Sequence, residues 1–242
     1  MSILEEKFNK ISGGRILDVG TGDGYFISVI TKLFKDYNEI IGIDNSKDAI
    51  QSLKKSNKQQ NIQFINMSAD KMTFEDNSMD TVCISNTLHH LPNYKQVLSE
   101  MLRVLKPNGF FIINEMFCDN QALKQLSHVY IHHLCAEMNM LAGTYHAKTF
   151  KRQAIIDIVK ETGVKIEDIF EYSTAEEQKA DVNEAEEKEI LDSCFNSIDN
   201  YAEKLKGNKE FDNIKSKISS LKQNLYKVGF MNATELVILG RK

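Results

Sequence analysis

The chain has 242 residues, 42% of them apolar and 26% charged, with 12 Gly, 2 Pro and no Trp, which excludes collagen-like, disulfide-framework and wholly disordered classes. A net charge of −4, with no run alternating Lys/Arg and aromatics, argues against nucleic acid as a partner. Four dispersed cysteines without C-x-x-C spacing, no leader-like N-terminus and no long apolar run point to a reducing, cytoplasmic setting without membrane insertion.

In chain order, short apolar runs alternate with amphipathic stretches, the pattern of a parallel sheet with crossover helices. Strands are expected at 15–19, 39–43, 62–67, 79–85 and 110–115, with helices at 25–34, 47–56 and 94–105 and a loop or short turn at 71–77. Lys106-Pro107-Asn108-Gly109 stops the last of these helices and turns the chain into the fifth strand. Further helices at 119–141 and 149–161, a strand at 164–172 and a closing strand at 234–240 complete an α/β fold with a doubly wound, mostly parallel sheet.

Before the closing strand lies an insertion, 173–228, too long for a structureless loop. Its lead-in, 173–192, carries eight acids and two lysines, a net of −6, and reads as a solvated segment or a charged helix start. Beyond it Leu191, Cys194, Phe195, Ile198, Ala202 and Leu205 form one apolar stripe, and Phe211, Ile214, Ile218, Leu221, Leu225 and Val228 another. With Gly207-Asn208 between them, the expectation is an antiparallel helical hairpin. The chain thus divides into a core of 1–172 plus 229–242, with 119–148 as a helical acceptor-side segment, and a helical insertion at 173–228.

Five of the twelve glycines (Gly13, Gly14, Gly20, Gly22, Gly24) fall between residues 13 and 24. Ile16-Leu17-Asp18-Val19-Gly20-Thr21-Gly22-Asp23-Gly24 runs a buried strand into a glycine-rich turn and then a helix, where backbone can approach a ligand closely. G-x-G-x-G departs from the G-x-G-x-x-G phosphate fingerprint, and an acid two residues before the first glycine suits an ammonium better than a pyrophosphate. Asp44 ends the second strand where a carboxylate can accept from ribose hydroxyls, and Asp70 follows the third where it can accept from an adenine amine. Taken singly, Asp44 or Asp70 reads equally well as a helix cap or solvated loop residue.

With ILDVGTGDG, IGID, SAD, the stretch Met79-Asp80-Thr81-Val82 leading to Asn86-Thr87-Leu88-His89-His90-Leu91, and Leu105-Lys106-Pro107-Asn108-Gly109-Phe110, the chain resembles the class I, Rossmann-like S-adenosylmethionine-dependent methyltransferases. Within them it is similar to the small-molecule branch of ubiquinone/menaquinone-type C- and O-methyltransferases. The resemblance implies S-adenosyl-L-methionine as cofactor, Gly20, Thr21 and Gly22 beside its methionine part, Asp18 near its amino group and Asp44 on the ribose. It also implies adenine contacts from Asn45, Ala69 and Asp70, and a backbone contact from Asn86. The family's frequent N-terminal helical lid has little room here, since only fourteen residues precede the first strand. The hairpin and the 119–146 helix are expected to replace that lid and wall the acceptor pocket.

All six histidines lie between 89 and 146. His89-His90 reads as helix-start packing. His128 and His132 share a helix face at i, i+4 and, with His146 and Tyr145, are the candidates for acid–base work on the acceptor. The expectation is a site without metal; if a metal is used, His128, His132, His146 and Glu115 are the candidate ligands. No N-P-P-Y-like tetrapeptide follows the fourth strand, where Ser85-Asn86-Thr87-Leu88 stands, so a small-molecule methyl acceptor is favoured. The alternatives are a non-catalytic cofactor-binding module, metal-assisted methyl transfer, and aminopropyl transfer from the decarboxylated cofactor. Nothing in the sequence sets an oligomeric state.

Overall fold

Alternating side chains on each strand sort the apolar residues to two opposite faces, and helices cover both. The computed structural model describes residues 1–173 and 184–242; of the acidic lead-in at 173–192, residues 174–183 lie outside them and 184–192 are helical. The strands are β1 (Arg15–Val19), β2 (Glu39–Asp44), β3 (Ile62–Asn66), β4 (Met79–Ser85), β5 (Leu105–Met116), β6 (Lys165–Tyr172) and β7 (Glu235–Arg241). They form one seven-stranded sheet ordered β3-β2-β1-β4-β5-β7-β6, in which β1 to β5 pair in parallel and β7 runs antiparallel to both neighbours.

The helices are α1 (Ile3–Phe8), α2 (Tyr25–Leu33), α3 (Lys47–Ser56), α4 (Tyr94–Val104), α5 (Leu123–Leu141), α6 (Arg152–Glu161), α7 (Glu184–Glu203) and α8 (Phe211–Val228). One sheet face, with Leu17, Ile41, Val82 and Ile113, packs on Val97, Leu98 and Met101 of α4 and on Ile155 and Val159 of α6. The other, with Ile16, Ile40, Cys83 and Ile112, packs on Phe26 and Ile30 of α2, Ile50 of α3 and Leu4 and Phe8 of α1.

The sequence pattern did not indicate α1. Ser2 caps it by accepting the Glu5 N–H, and fully buried Phe8 meets Phe26, Phe34 and Phe170 edge to face. Here α5 and α6 begin at Leu123 and Arg152, later than the periodicity suggests. The fifth strand reaches back to Leu105: its pairing with β4 is broken between Met79 and Thr81, and Asn108 takes a left-handed φ of 62° there.

The hairpin is present as α7 and α8, where it braces α5; among the described residues none of its side chains walls the cavity at the strand ends. Leu191, Phe195, Ile198, Ile214, Ile218 and Leu225 close a third core with Ile131, Leu134 and Met138 of α5. Burying a large apolar side chain this way contributes about 1.5–3 kcal/mol each, so the hairpin holds α5 firmly over the strand ends. No helix among the described residues is long and apolar enough to cross a membrane.

Candidate functional site

A turn at the carboxyl end of β1 builds the first wall. The N–H groups of Gly20 and Thr21 both donate to Ile43 O at 2.9 Å, folding the turn over β2. Gly20 has φ 70°, and a Cβ there would come within 2.3 Å of Thr87 Cγ2 after β4, while Thr87 Oγ1 donates to Gly20 O at 3.1 Å. Gly22, at φ 53°, has no such crowding. Its N–H instead donates to Asp44 Oδ2 at 3.0 Å, and Asp44 Oδ1 accepts the Ser46 N–H at 2.8 Å. Ser46 itself caps α3, so Asp44 ties two loops together and is not the cap.

Asp18 is 1% exposed. The Cys83 thiol reaches Oδ1 at 3.6 Å, whereas Oδ2 has no hydrogen-bond partner. Burial, with a smaller contribution from the charge of Asp44, pushes its carboxyl up to about 6. An ionised oxygen held in this way attracts a cationic donor.

After β3, Ser68 donates to Asp70 Oδ1 at 2.7 Å. The loop that follows is pinned by Arg103 of α4, which donates to Met72 O and Phe74 O at 2.9 and 2.8 Å and pairs with Glu100 and Asp76. Those two carboxylates raise the guanidinium further above its ordinary value. After β4, Asn86 adopts φ 46° and its Oδ1 accepts the Met116 N–H at 2.8 Å, which locks the β4 and β5 ends together.

These segments surround one cavity of about 740 Å³, within the range of small-ligand sites. Asp18, Gly20, Thr21, Gly22, Asp44, Asn45, Ala69, Asp70 and Asn86 all line it, as does Tyr145 from the segment after α5. Residues not singled out for this role from the sequence join them: Tyr25, Thr87, His90 and Asn93. Among the described residues, no side chain of α7 or α8 lines it.

The histidines separate. His89 Nδ1 lies 3.0 Å from Glu115 Oε2, both side chains fully buried, and Glu115 Oε1 accepts the N–H groups of Thr87 and Leu88 at 2.7 Å. His132 Nε2 is 3.0 Å from His89 Nε2 and 2.9 Å from His146 Nε2. His146 Nδ1 meets Asn139 Nδ2 at 2.7 Å, and Tyr201 of α7 donates to Asn139 Oδ1 at 2.5 Å. Burial first, then mutual repulsion, lowers His132 to about 2, His90 to about 3 and His146 to about 4.

His128 does not join this group: its Nδ1 accepts the Ala233 N–H at 3.1 Å and its ring lies against Phe230, so a shared helix face with His132 did not mean a shared partner. Glu115 stands behind His89 and not at the centre. His89 and His90, expected to be packing residues, take those two places, and the ring atoms of His89, His90, His132 and His146 that could bind a metal lie within 4.8 Å of one another. The pair His89-His90 was visible in the sequence, but its spatial neighbours, 42 or more residues on, were not.

The family model described as "Methyltransferase domain" matches residues 10–197. A demethylmenaquinone methyltransferase of Staphylococcus saprophyticus is 34% identical over 111 residues, 46% of this chain and 48% of the relative. The chain thus spans less than half the length of the curated relatives it matches. Among solved structures, a protein of Bacillus halodurans C-125 superposes with TM-score 0.60 at 16% identity over 99% of this chain and 96% of that one. A Haemonchus contortus phosphoethanolamine N-methyltransferase 2, solved with phosphomonomethylethanolamine and S-adenosylhomocysteine, gives TM-score 0.56 at 20% identity, covering 99% of this chain and 51% of that one.

Proposed function

The chain belongs to the methyltransferase-domain family, and from that premise we propose that it transfers a methyl group from S-adenosyl-L-methionine to a small-molecule acceptor by direct displacement. The observation that carries this reading is the meeting of acids and glycines from three strand ends on one cavity, with a buried Asp18 oxygen lacking a partner. The donor set fits that cofactor. Asp18 Oδ2 accepts from its ammonium, Asp44 takes the ribose hydroxyls, Asp70 takes the exocyclic adenine amine, and the open turn at Gly22 allows close backbone approach. Asn45, Ala69, Thr21 and Asn86 complete the enclosure.

When bound, the cofactor supplies an electrophilic methyl on a sulfonium. The protein's share is alignment and exclusion of water. Tyr145 and His90, which line the same cavity and are not needed for the nucleoside contacts above, are assigned to the acceptor, which they would position. The α7–α8 hairpin acts at one remove by fixing α5, which carries His132. Two features support a small acceptor: the cavity size, and the likeness to a relative named for demethylmenaquinone.

The test is incubation of the purified protein with methyl-labelled cofactor and the low-mass fraction of a cell extract. Label on a small product, lost in Asp44→Ala, supports the proposal. Cofactor binding without any transfer of label would instead make the protein a binding module.

A further inference from the structure

We propose that His89, His132 and His146, with His90 on the cavity side, form a binding site for one divalent transition-metal ion of the zinc type. The inference starts from hydrogen-bond bookkeeping. Glu115 Oε1 already accepts two backbone N–H groups, so its Oε2 fixes the His89 proton on Nδ1 and leaves the His89 Nε2 lone pair facing His132. His132 Nε2 lies at 3.0 and 2.9 Å from two other ring nitrogens at once. One proton on it cannot point linearly at both neighbours, whereas a cation at the meeting point serves all three lone pairs.

The outer atoms of the rings support the same assignment. A metal-binding histidine commonly donates its other N–H to a carboxylate or carbonyl, and Glu115 stands in that position behind His89. The Asn139 amide stands behind His146, its nitrogen 2.7 Å from Nδ1 and its oxygen accepting from Tyr201 of the hairpin; turned over, it presents its oxygen to His146 Nδ1–H and its nitrogen to the Tyr201 hydroxyl, which then accepts. Tetrahedral zinc with nitrogen ligands at about 2.0–2.1 Å separates its ligands by roughly 3.4 Å, so the His132–His89 and His132–His146 pairs need to open by only about 0.4–0.5 Å.

The three inner ligands come from separate parts of the chain: a turn after β4, the middle of α5 and the segment after α5. The fourth, His90, is exposed, lines the cofactor cavity, and lies against His146 with ring centroids 3.9 Å apart. Because the other three ligands lie behind it, an ion held there can be reached from the cavity only where the exposed His90 ring gives way to the acceptor. Resting on the methyltransferase reading, this further suggests an acceptor that offers a hydroxyl or thiol to the ion.

The experiment uses the full chain, stripped with a chelator and dialysed, then titrated with Co²⁺ while its visible ligand-field absorption is followed, with Zn²⁺ as competitor. One equivalent of Co²⁺ displaced by one equivalent of Zn²⁺ is expected. His132→Gln and His146→Gln should weaken binding at least about 100-fold, while His133→Gln, whose ring bonds Thr149, should stay within about threefold. Titration with S-adenosylhomocysteine is run on each variant. Retained nucleoside binding with lost Co²⁺ binding shows a folded protein lacking only the metal site. Wild type that binds the nucleoside but no Co²⁺ or Zn²⁺ at about tenfold excess overturns the proposal. So does a His132→Gln variant that binds metal as tightly as wild type. Metal binding without nucleoside binding would overturn the cofactor reading alone.

Discussion

Replacing Asp18 with Asn should make the free protein more stable and the ligand-bound protein weaker. The wild-type carboxyl is 1% exposed, has an oxygen without a partner, and is pushed up by burial to about 6 from an ordinary 3.8. At a pH above 6 that difference costs the folded apoprotein about 3 kcal/mol. The sign follows from proton uptake. Between 3.8 and about 6 the folded chain holds a proton that the unfolded chain has released, so this group's contribution to stability improves as pH falls through that window. Cofactor affinity moves the other way, because protonation removes the charge that attracts the ammonium.

The Asp18→Asn substitution abolishes the charge but leaves a buried amide, so the expected gain is about 1–3 kcal/mol, a rise in Tm of roughly 3–10 °C. Loss of the charge-assisted hydrogen bond should weaken S-adenosylhomocysteine by about 10–100-fold. Thermal melts with and without the nucleoside at pH 8, beside calorimetric titrations, read both quantities. A lower Tm for free Asp18→Asn together with unchanged affinity would refute the role given to this oxygen.

Further outcomes follow from neighbouring residues. Gly20→Ala should cost about 2–4 kcal/mol in urea unfolding, because its Cβ meets Thr87 at 2.3 Å in a left-handed backbone, whereas Gly22→Ala, strained but uncrowded, should cost only about 1–2 kcal/mol. Arg103→Ala frees the carbonyls of Met72 and Phe74; hydrogen exchange should rise across residues 70–77, and nucleoside affinity should fall about threefold to tenfold. Tyr145→Phe should leave nucleoside affinity within about twofold while lowering kcat/KM for the acceptor, since the proposed arrangement assigns it to the acceptor and not to the nucleoside.

The parts of this fold that alternate or repeat were legible in the amino-acid sequence. Ile16 and Leu17, adjacent in β1, go to opposite faces because a strand dictates it, and the hairpin stripes at Leu191 and Ile214 close as their spacing implies. The short α1 was not legible: six residues are too few to show a period, and its stability comes from Phe8 among three other phenylalanines contributed from residues 26, 34 and 170. The same limit governed the site. The acids and glycines follow strand ends in local motifs, so their meeting at one cavity could be anticipated. The histidine cluster depends on how α5 crosses the β4 and β5 ends. An i, i+4 spacing identifies a helix face but not what lies opposite, which is why His128 turned out beside Ala233 while His89 and His90 joined His132.

The most direct test of the central claim is calorimetric titration of the wild-type chain with S-adenosylhomocysteine at pH 8, beside Asp44→Ala. One site per chain with a Kd of about 1–100 μM, weakened at least about tenfold in the variant, is the predicted result. No binding heat for wild type at millimolar nucleoside, or equal affinity for the two proteins, would contradict the assignment of this cavity to the cofactor.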